Sequence, residues 1–193
     1  GHSFPTRRSS DLRNYSCKST LKITYIGPLE KYKGISLLFN ALQRLLKTNI
    51  NNWNLNIYGS SENINTEPFR EKVKVNGTYD YSKLEYIFKN TDVLVVPSIW
   101  YETFGYIALE AFSYGVPVIV TQFVGFKDMI DDGITGIIIK PSEDVLYNKL
   151  QTLIKNRSIL SRINDNIIKL SSIYTMEKHT KDVMKLYTAL VKI

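Results

Sequence analysis

The feature that most constrains this chain is a repeated switch of hydrophobic period. Short runs rich in β-branched residues alternate with stretches whose apolar residues recur every three or four positions. LKITYIG at 21–27 reads as a strand closed by Gly27 and Pro28, and Ile35, Leu38, Leu42 and Leu45 then mark one face of a helix. LNIYG (55–59), VKVNG (73–77) and DVLVVPS (92–98) repeat the strand signal, each ended by Gly or Pro. Between the last two, KLEYIFKN (83–90) puts Leu84, Ile87 and Phe88 on one helical face. A helix at 107–114 is expected to stop at Gly115, with a strand at 117–121 after it, and Gly133 and Gly136 bracket a turn before IIIK. Ser142 is expected to cap a helix carrying Glu143 and Asp144 in its first turn, with further helices at 158–170 and 175–191. Strands alternating with helices in this way imply right-handed βαβ crossovers. The expected class is therefore α/β, with a doubly wound, mostly parallel sheet covered on both faces.

Composition removes several alternatives. The chain has 193 residues, 44% of them hydrophobic, which suits one core. No apolar run reaches the roughly 18 residues needed to cross a bilayer, so a soluble, cytoplasmic protein is expected. The single Cys17 excludes an internal disulfide and fits a reducing compartment. With only His2 and His179 beside it, no zinc-ligand spacing exists, and no metal is expected. Lys and Arg number 25 against 18 acids, but the resulting +7 is scattered and forms no block. Such charge favours an anionic ligand over nucleic acid, and admits peripheral contact with the inner face of a membrane. The opening GHSFPTRRSSDL has neither periodicity nor a secretory core, and its Ser3-to-Leu12 stretch resembles a translated sequencing adapter. Residues 1–20 are accordingly read as a non-native or disordered leader, and 21–193 as the domain.

In an open parallel sheet, ligands bind at the carboxyl ends of the strands. That directs attention to 27–34, 59–61, 77–79, 98–105 and 121–128, four of which place a glycine directly after a strand or opening a helix, where a ligand can approach the backbone. No GxGxxG follows the first strand and no GxxxxGK[ST] occurs, so neither NAD nor ATP is indicated. What stands instead is ETFGYIALE, with Glu102 in the loop above the sheet and Glu110 about one turn into the following helix. The amides near Phe104, Gly105 and Tyr106 suit a phosphate, with about 0.3–1 kcal/mol from the helix dipole. Each carboxylate offers charge-assisted hydrogen bonds of about 1.5–3 kcal/mol to hydroxyl groups. Hydroxyls beside phosphate point to a sugar.

ETFGYIALE followed by AFSYGVPVIV closely resembles the ExFGxxxxEAxxxGxPV signature of retaining glycosyltransferases of the large family 4, which have the two-domain GT-B fold. GPLEKYKG (27–34) stands in place of that family's GRxxxxKG loop, and LNIYGS, VNGTY, DVLVVPS and the DGxxG at 132–136 match in order. The resemblance covers 21–193 and implies only the C-terminal, Rossmann-like half, which binds the donor, a nucleotide diphosphate sugar. It implies that Glu110 holds the ribose and Lys33 the diphosphate. Glu102 would bind hydroxyls of the transferred hexose near the reacting carbon, with Glu102 and Lys33 the catalytic pair. Phe104, Gly105, Tyr106 and Ile107 would present backbone amides, Gly27 and Gly59 would admit the donor to the backbone, and Thr78 and Tyr79 would edge the base. Neither a cofactor nor a metal is implied. The acceptor, a glycan or a lipid-linked sugar, would be held by an N-terminal domain that lies outside this chain, so the chain alone is expected to be inactive. A catalytically incomplete nucleotide-binding module is the alternative.

Two departures bear on the site. The loop's usual Arg is Pro28, leaving Lys33 to act alone, and the usual Gly-Gly followed by Pro and Glu is replaced by Val124-Gly125-Phe126-Lys127-Asp128, where Lys127 offers a second positive charge. Trp100 and Tyr101 are expected to line the core beside the sheet, the other reading being a stacking surface for a sugar or base.

Overall fold

The computed structural model describes residues 15–60 and 64–171, together with Met184 and Thr188. Six strands, β1 (Leu21–Ile26), β2 (Trp53–Tyr58), β3 (Val73–Val75), β4 (Val93–Val96), β5 (Val118–Thr121) and β6 (Ile137–Ile139), form one parallel sheet in the order β3-β2-β1-β4-β5-β6. This is the doubly wound order whose switch point lies between β1 and β4. Among the described residues, five α-helices flank it: α1 (Ile35–Lys47), α2 (Leu84–Lys89), α3 (Tyr106–Ser113), α4 (Glu143–Lys155) and α5 (Ser158–Ser171).

The two faces follow from side-chain alternation along the strands. Val93 and Val95 of β4 face a cluster built on Leu38, Leu42, Leu146, Leu150 and Ile163, so α1, α4 and α5 lie on that side. Leu94 and Val96 face the opposite cluster with Leu84, Ile87, Phe88, Ala108 and Ala111, which places α2 and α3 there. Each fully buried Leu or Ile contributes about 1.5–3 kcal/mol. The expected Ile35, Leu38, Leu42 and Leu45 stripe is buried throughout.

The sequence reading needs correction in a few places. Pro117 lies just outside β5, since it has no N–H to give the ladder, but its carbonyl accepts from Leu94 N–H at 3.0 Å. Ser142 occupies the position before α4 without its hydroxyl capping the helix; its carbonyl receives the Leu146 N–H instead. Within the stretch read as leader, residues 15–20 carry hydrogen bonds to the rest of the described chain. Tyr15 donates to the Asp92 carbonyl at 3.3 Å, and Asn52 Nδ2 donates to the carbonyls of Cys17 and Ser19 at 3.0 and 3.1 Å. Buried Arg157 also reaches Ser19, and binds the carbonyls of Asn52 and Leu153. Residues 1–14 lie outside the described residues, as does most of the helix expected at 175–191, of which Met184 and Thr188 are described as helical. No helix among the described residues is long and apolar enough to cross a membrane.

The loop leaving β1 and the loop leaving β4 approach at Gly34. A Cβ placed there would stand 1.8 Å from the Pro97 carbonyl oxygen, and the residue has φ +75°. Gly133 has the same φ with nothing within 4 Å of its added Cβ. Gly133→Ala should therefore cost only the backbone term of about 1–2 kcal/mol. Gly34→Ala should cost that plus the displacement of Pro97, more than about 3 kcal/mol in all. Urea denaturation of both variants checks this; equal losses would show that the close approach carries no energy.

Candidate functional site

At the carboxyl end of the sheet, backbone hydrogen bonds knit the loops together. Gly27 N–H donates to Tyr58 at 2.9 Å, Gly59 N–H to Gly77 at 2.8 Å, and Ile99 N–H to Tyr32 at 2.9 Å. Glu102 N–H donates to Phe123 at 2.9 Å, and Gly125 N–H returns to Glu102 at 3.1 Å. The loops singled out from sequence thus converge at one end, apart from Ser61, which lies outside the described residues.

The short helical turn Lys31–Lys33 brings Lys33 over the switch point. Its Nζ stands 3.1 Å from Glu102 Oε1, and the two side chains are only 23% and 15% exposed. The Ser98 hydroxyl donates to the same oxygen. Ser98 is buried, and its own carbonyl accepts from the Thr121 hydroxyl at the end of β5. Glu102 Oε2 lies toward Gly105, 4.0 Å from where a Cβ on that glycine would be. Gly105 opens α3 at φ +85°, where any side chain would also meet Val124 Cγ1 at 2.5 Å. The amides of Phe104, Gly105, Tyr106 and Ile107 donate to no acceptor among the described residues. A cation, a fixed carboxylate and unpaired amides therefore share one small region.

Glu110, half-buried on α3, belongs to a second grouping. Burial, and then the Glu110 carboxylate, push Tyr79 above its ordinary range; the same causes act on Tyr81, whose hydroxyl also bonds to Glu110. Tyr79 packs edge-on against Tyr58 at 6.1 Å, with Thr78 exposed beside it.

Sequence reasoning missed Ser98 and Tyr81 as site residues. The available signals were a hydroxyl just after the strand ending at Val96 and a third hydroxyl-bearing residue beside Thr78 and Tyr79. Trp100 and Tyr101 correct the expectation of core packing: they are 68% and 76% exposed, because Pro97 and Ser98 carry the chain out of the sheet. Tyr101 packs against Phe123, at 4.8 Å between rings. Lys127 pairs with Asp128. No group of three or more His, Cys, Asp or Glu residues able to hold a metal occurs among the described residues.

The strand order defines a Rossmann-like α/β domain, with a cluster of polar groups gathered at its switch point. The model of the family described as glycosyl transferases group 1 matches residues 14–170, and the chain belongs to that family. It is 34% identical over 123 residues to an uncharacterized 41.2 kDa protein in the cps region of Klebsiella pneumoniae, covering 63% of this chain and 33% of that protein. The chain thus spans about a third of that relative's length. HepE of Anabaena, solved in complex with UDP and glucose, superposes with a TM-score of 0.71 at 17% identity, over 89% of this chain and 49% of that one. The C-terminal domain of LpcC, a group 1 glycosyl transferase of Francisella tularensis, superposes with a TM-score of 0.69 at 22% identity, over 81% of this chain and 87% of that one. The fold is that of GT-B glycosyltransferases.

At the end of β1, the Tyr25 hydroxyl donates to the Pro28 carbonyl at 2.6 Å. Burial, reinforced by the Glu102 charge, holds its pKa well above the ordinary tyrosine range. A pKa raised by folding means stability that is present below about pH 10, where unfolded tyrosine titrates, and lost as pH rises beyond it. Tyr25→Phe should cost about 0.5–1.5 kcal/mol at neutral pH. The difference from wild type should narrow above about pH 10. Chemical denaturation at pH 7 and pH 11 tests the sign, and a difference that widens would contradict it.

Proposed function

We propose that this chain is the C-terminal, donor-binding half of a retaining hexosyltransferase of family 4, acting in the cytoplasm on a nucleotide diphosphate sugar. The observation that carries the reading is the meeting of Lys33, Glu102 and the α3 amides. Two of these elements suit a diphosphate, and the third suits the hydroxyls of the sugar attached to it. The likeness to HepE, solved with UDP and glucose, and to the C-terminal domain of LpcC supports this assignment.

When the bond between sugar and diphosphate breaks, negative charge develops on the departing phosphate. The amides of Phe104, Gly105, Tyr106 and Ile107 are oriented before the reaction, so they stabilise that charge without rearranging. Lys33 adds a full positive charge, and together these groups meet the diphosphate without a metal or cofactor. Glu102 fixes the hexose through Oε2, Glu110 takes the ribose hydroxyls, and Thr78 and Tyr79 border the base. Gly27 and Gly59 let the loops after β1 and β2 close on each other at the edge of the site, where a Cβ on Gly59 would meet the Gly27 carbonyl oxygen at 2.0 Å. The acceptor, a glycan or lipid-linked sugar, attacks on the face from which the diphosphate leaves, held by an N-terminal domain that also brings peripheral membrane contact. Because this chain covers 33% of its Klebsiella relative, a second reading is that it binds the nucleotide without turnover by itself.

Two outcomes test these roles in the intact transferase. Glu110→Ala should weaken nucleoside diphosphate binding by about 1.5–3 kcal/mol; unchanged affinity rules out its contact with the ribose. Glu102→Gln should lower kcat more than it raises the KM for donor, and equal effects on both would mark it as a uniform binding group. Transfer by the 193-residue chain alone, measured with labelled donor, would decide against the second reading.

A further inference from the structure

We propose that Lys33 is a shared cation, exchanged between the Glu102 carboxylate and the donor diphosphate, and that Ser98 is the positioning residue that holds Glu102 through the exchange. The inference rests on the donor-site reading above and goes beyond it by assigning an order to the contacts.

One oxygen, Glu102 Oε1, takes both the Lys33 ammonium at 3.1 Å and the Ser98 hydroxyl. Those two donors differ in freedom. Lysine is a point charge on a flexible four-carbon stem and re-aims at little cost. Ser98 is buried on a short side chain whose own backbone carbonyl is tied to Thr121, so its hydroxyl is held in place where it donates to Glu102. A diphosphate at the α3 amides competes with Glu102 for the same ammonium. As Lys33 turns to the phosphate, Ser98 remains on Oε1 and keeps Oε2 directed toward Gly105, where the sugar hydroxyls arrive. The arrangement gives a nucleotide sugar an advantage over the bare nucleoside diphosphate: both must break the ion pair, but only the sugar offers Glu102 new hydrogen bonds.

The test is a double-mutant cycle read by calorimetric titration on the 193-residue chain with UDP, GDP and ADP, the tightest carried forward. Glu102→Gln should tighten nucleoside diphosphate binding about threefold to tenfold, the worth of a partly shielded ion pair. In a Lys33→Met background the same change should alter affinity less than about twofold. Tightening of equal size with and without Lys33 would mean simple relief of repulsion between Glu102 and the phosphates, and would overturn the shared cation, as would unchanged or weaker binding by Glu102→Gln. Ser98→Ala should leave nucleoside diphosphate affinity within about twofold while lowering affinity for the matching nucleotide diphosphoglucose. If both fall together, Ser98 has a structural role only and the positioning claim fails. If none of the three nucleotides binds wild type or variants, the donor-site reading itself is wrong and this proposal falls with it.

Discussion

Between β1 and β4 the loops leaving the sheet part toward opposite faces, and everything at the site depends on how closely their backbones approach before they diverge. The loop after β1 turns down to α1, packed on one face, while the loop after β4 leads to α3 on the other. Their point of contact is Gly34 against the Pro97 carbonyl, with no room for a side chain. Lys33 is the residue before that contact on one strand's loop, and Ser98 is the residue after it on the other's. A backbone constraint is thereby converted into a side-chain meeting, since the two neighbours of the contact are the two donors that converge on Glu102. The hydrogen bond from Ile99 N–H to the Tyr32 carbonyl repeats the tie one residue further out.

Much of this could be read from the chain because it is local. Strand and helix periods located all six strands, and the Gly-Pro and Gly-x endings marked the ligand end of the sheet. What escaped reading is non-local or depends on exposure. Arg157 gathers carbonyls from Ser19, Asn52 and Leu153, and no periodicity in any of the three segments announces that bond. It is one of several ties between residues 15–20 and the rest of the described chain. Trp100 and Tyr101 look like core residues by composition, yet they stand in solvent because the chain has already left the sheet at Pro97. Ser142 sits where a capping residue should, but hydroxyl orientation is decided by surroundings that the sequence does not contain.

The excess positive charge looks different once its partners are known. Arg44 pairs with Asp144, Lys89 with Glu85 and Lys127 with Asp128, each with at least one well-exposed member, and such pairs contribute little. Arg157 is buried among carbonyls, and desolvation lowers its pKa, which marks it as a structural tie rather than a ligand contact. Lys33 differs from these in being both shielded and set at the switch point.

The two carboxylates that drew attention in the sequence differ in what holds them, and that difference fits their proposed divisions of labour. Glu102 is fixed from below by a buried hydroxyl and from the side by a lysine, so one of its oxygens is committed and the other is aimed. A carboxylate held this way loses little entropy when a sugar hydroxyl arrives, and it suits a group that must be placed accurately against a reacting carbon. Glu110 meets instead the hydroxyl of Tyr81, a residue 58% exposed and able to swing into water. On the proposed reading two ribose hydroxyls take the place of one phenol donor, so the gain comes from the added hydrogen bond and its bidentate geometry. One acid, on that reading, serves positioning and the other exchangeable recognition, although both stand on the same short stretch of chain.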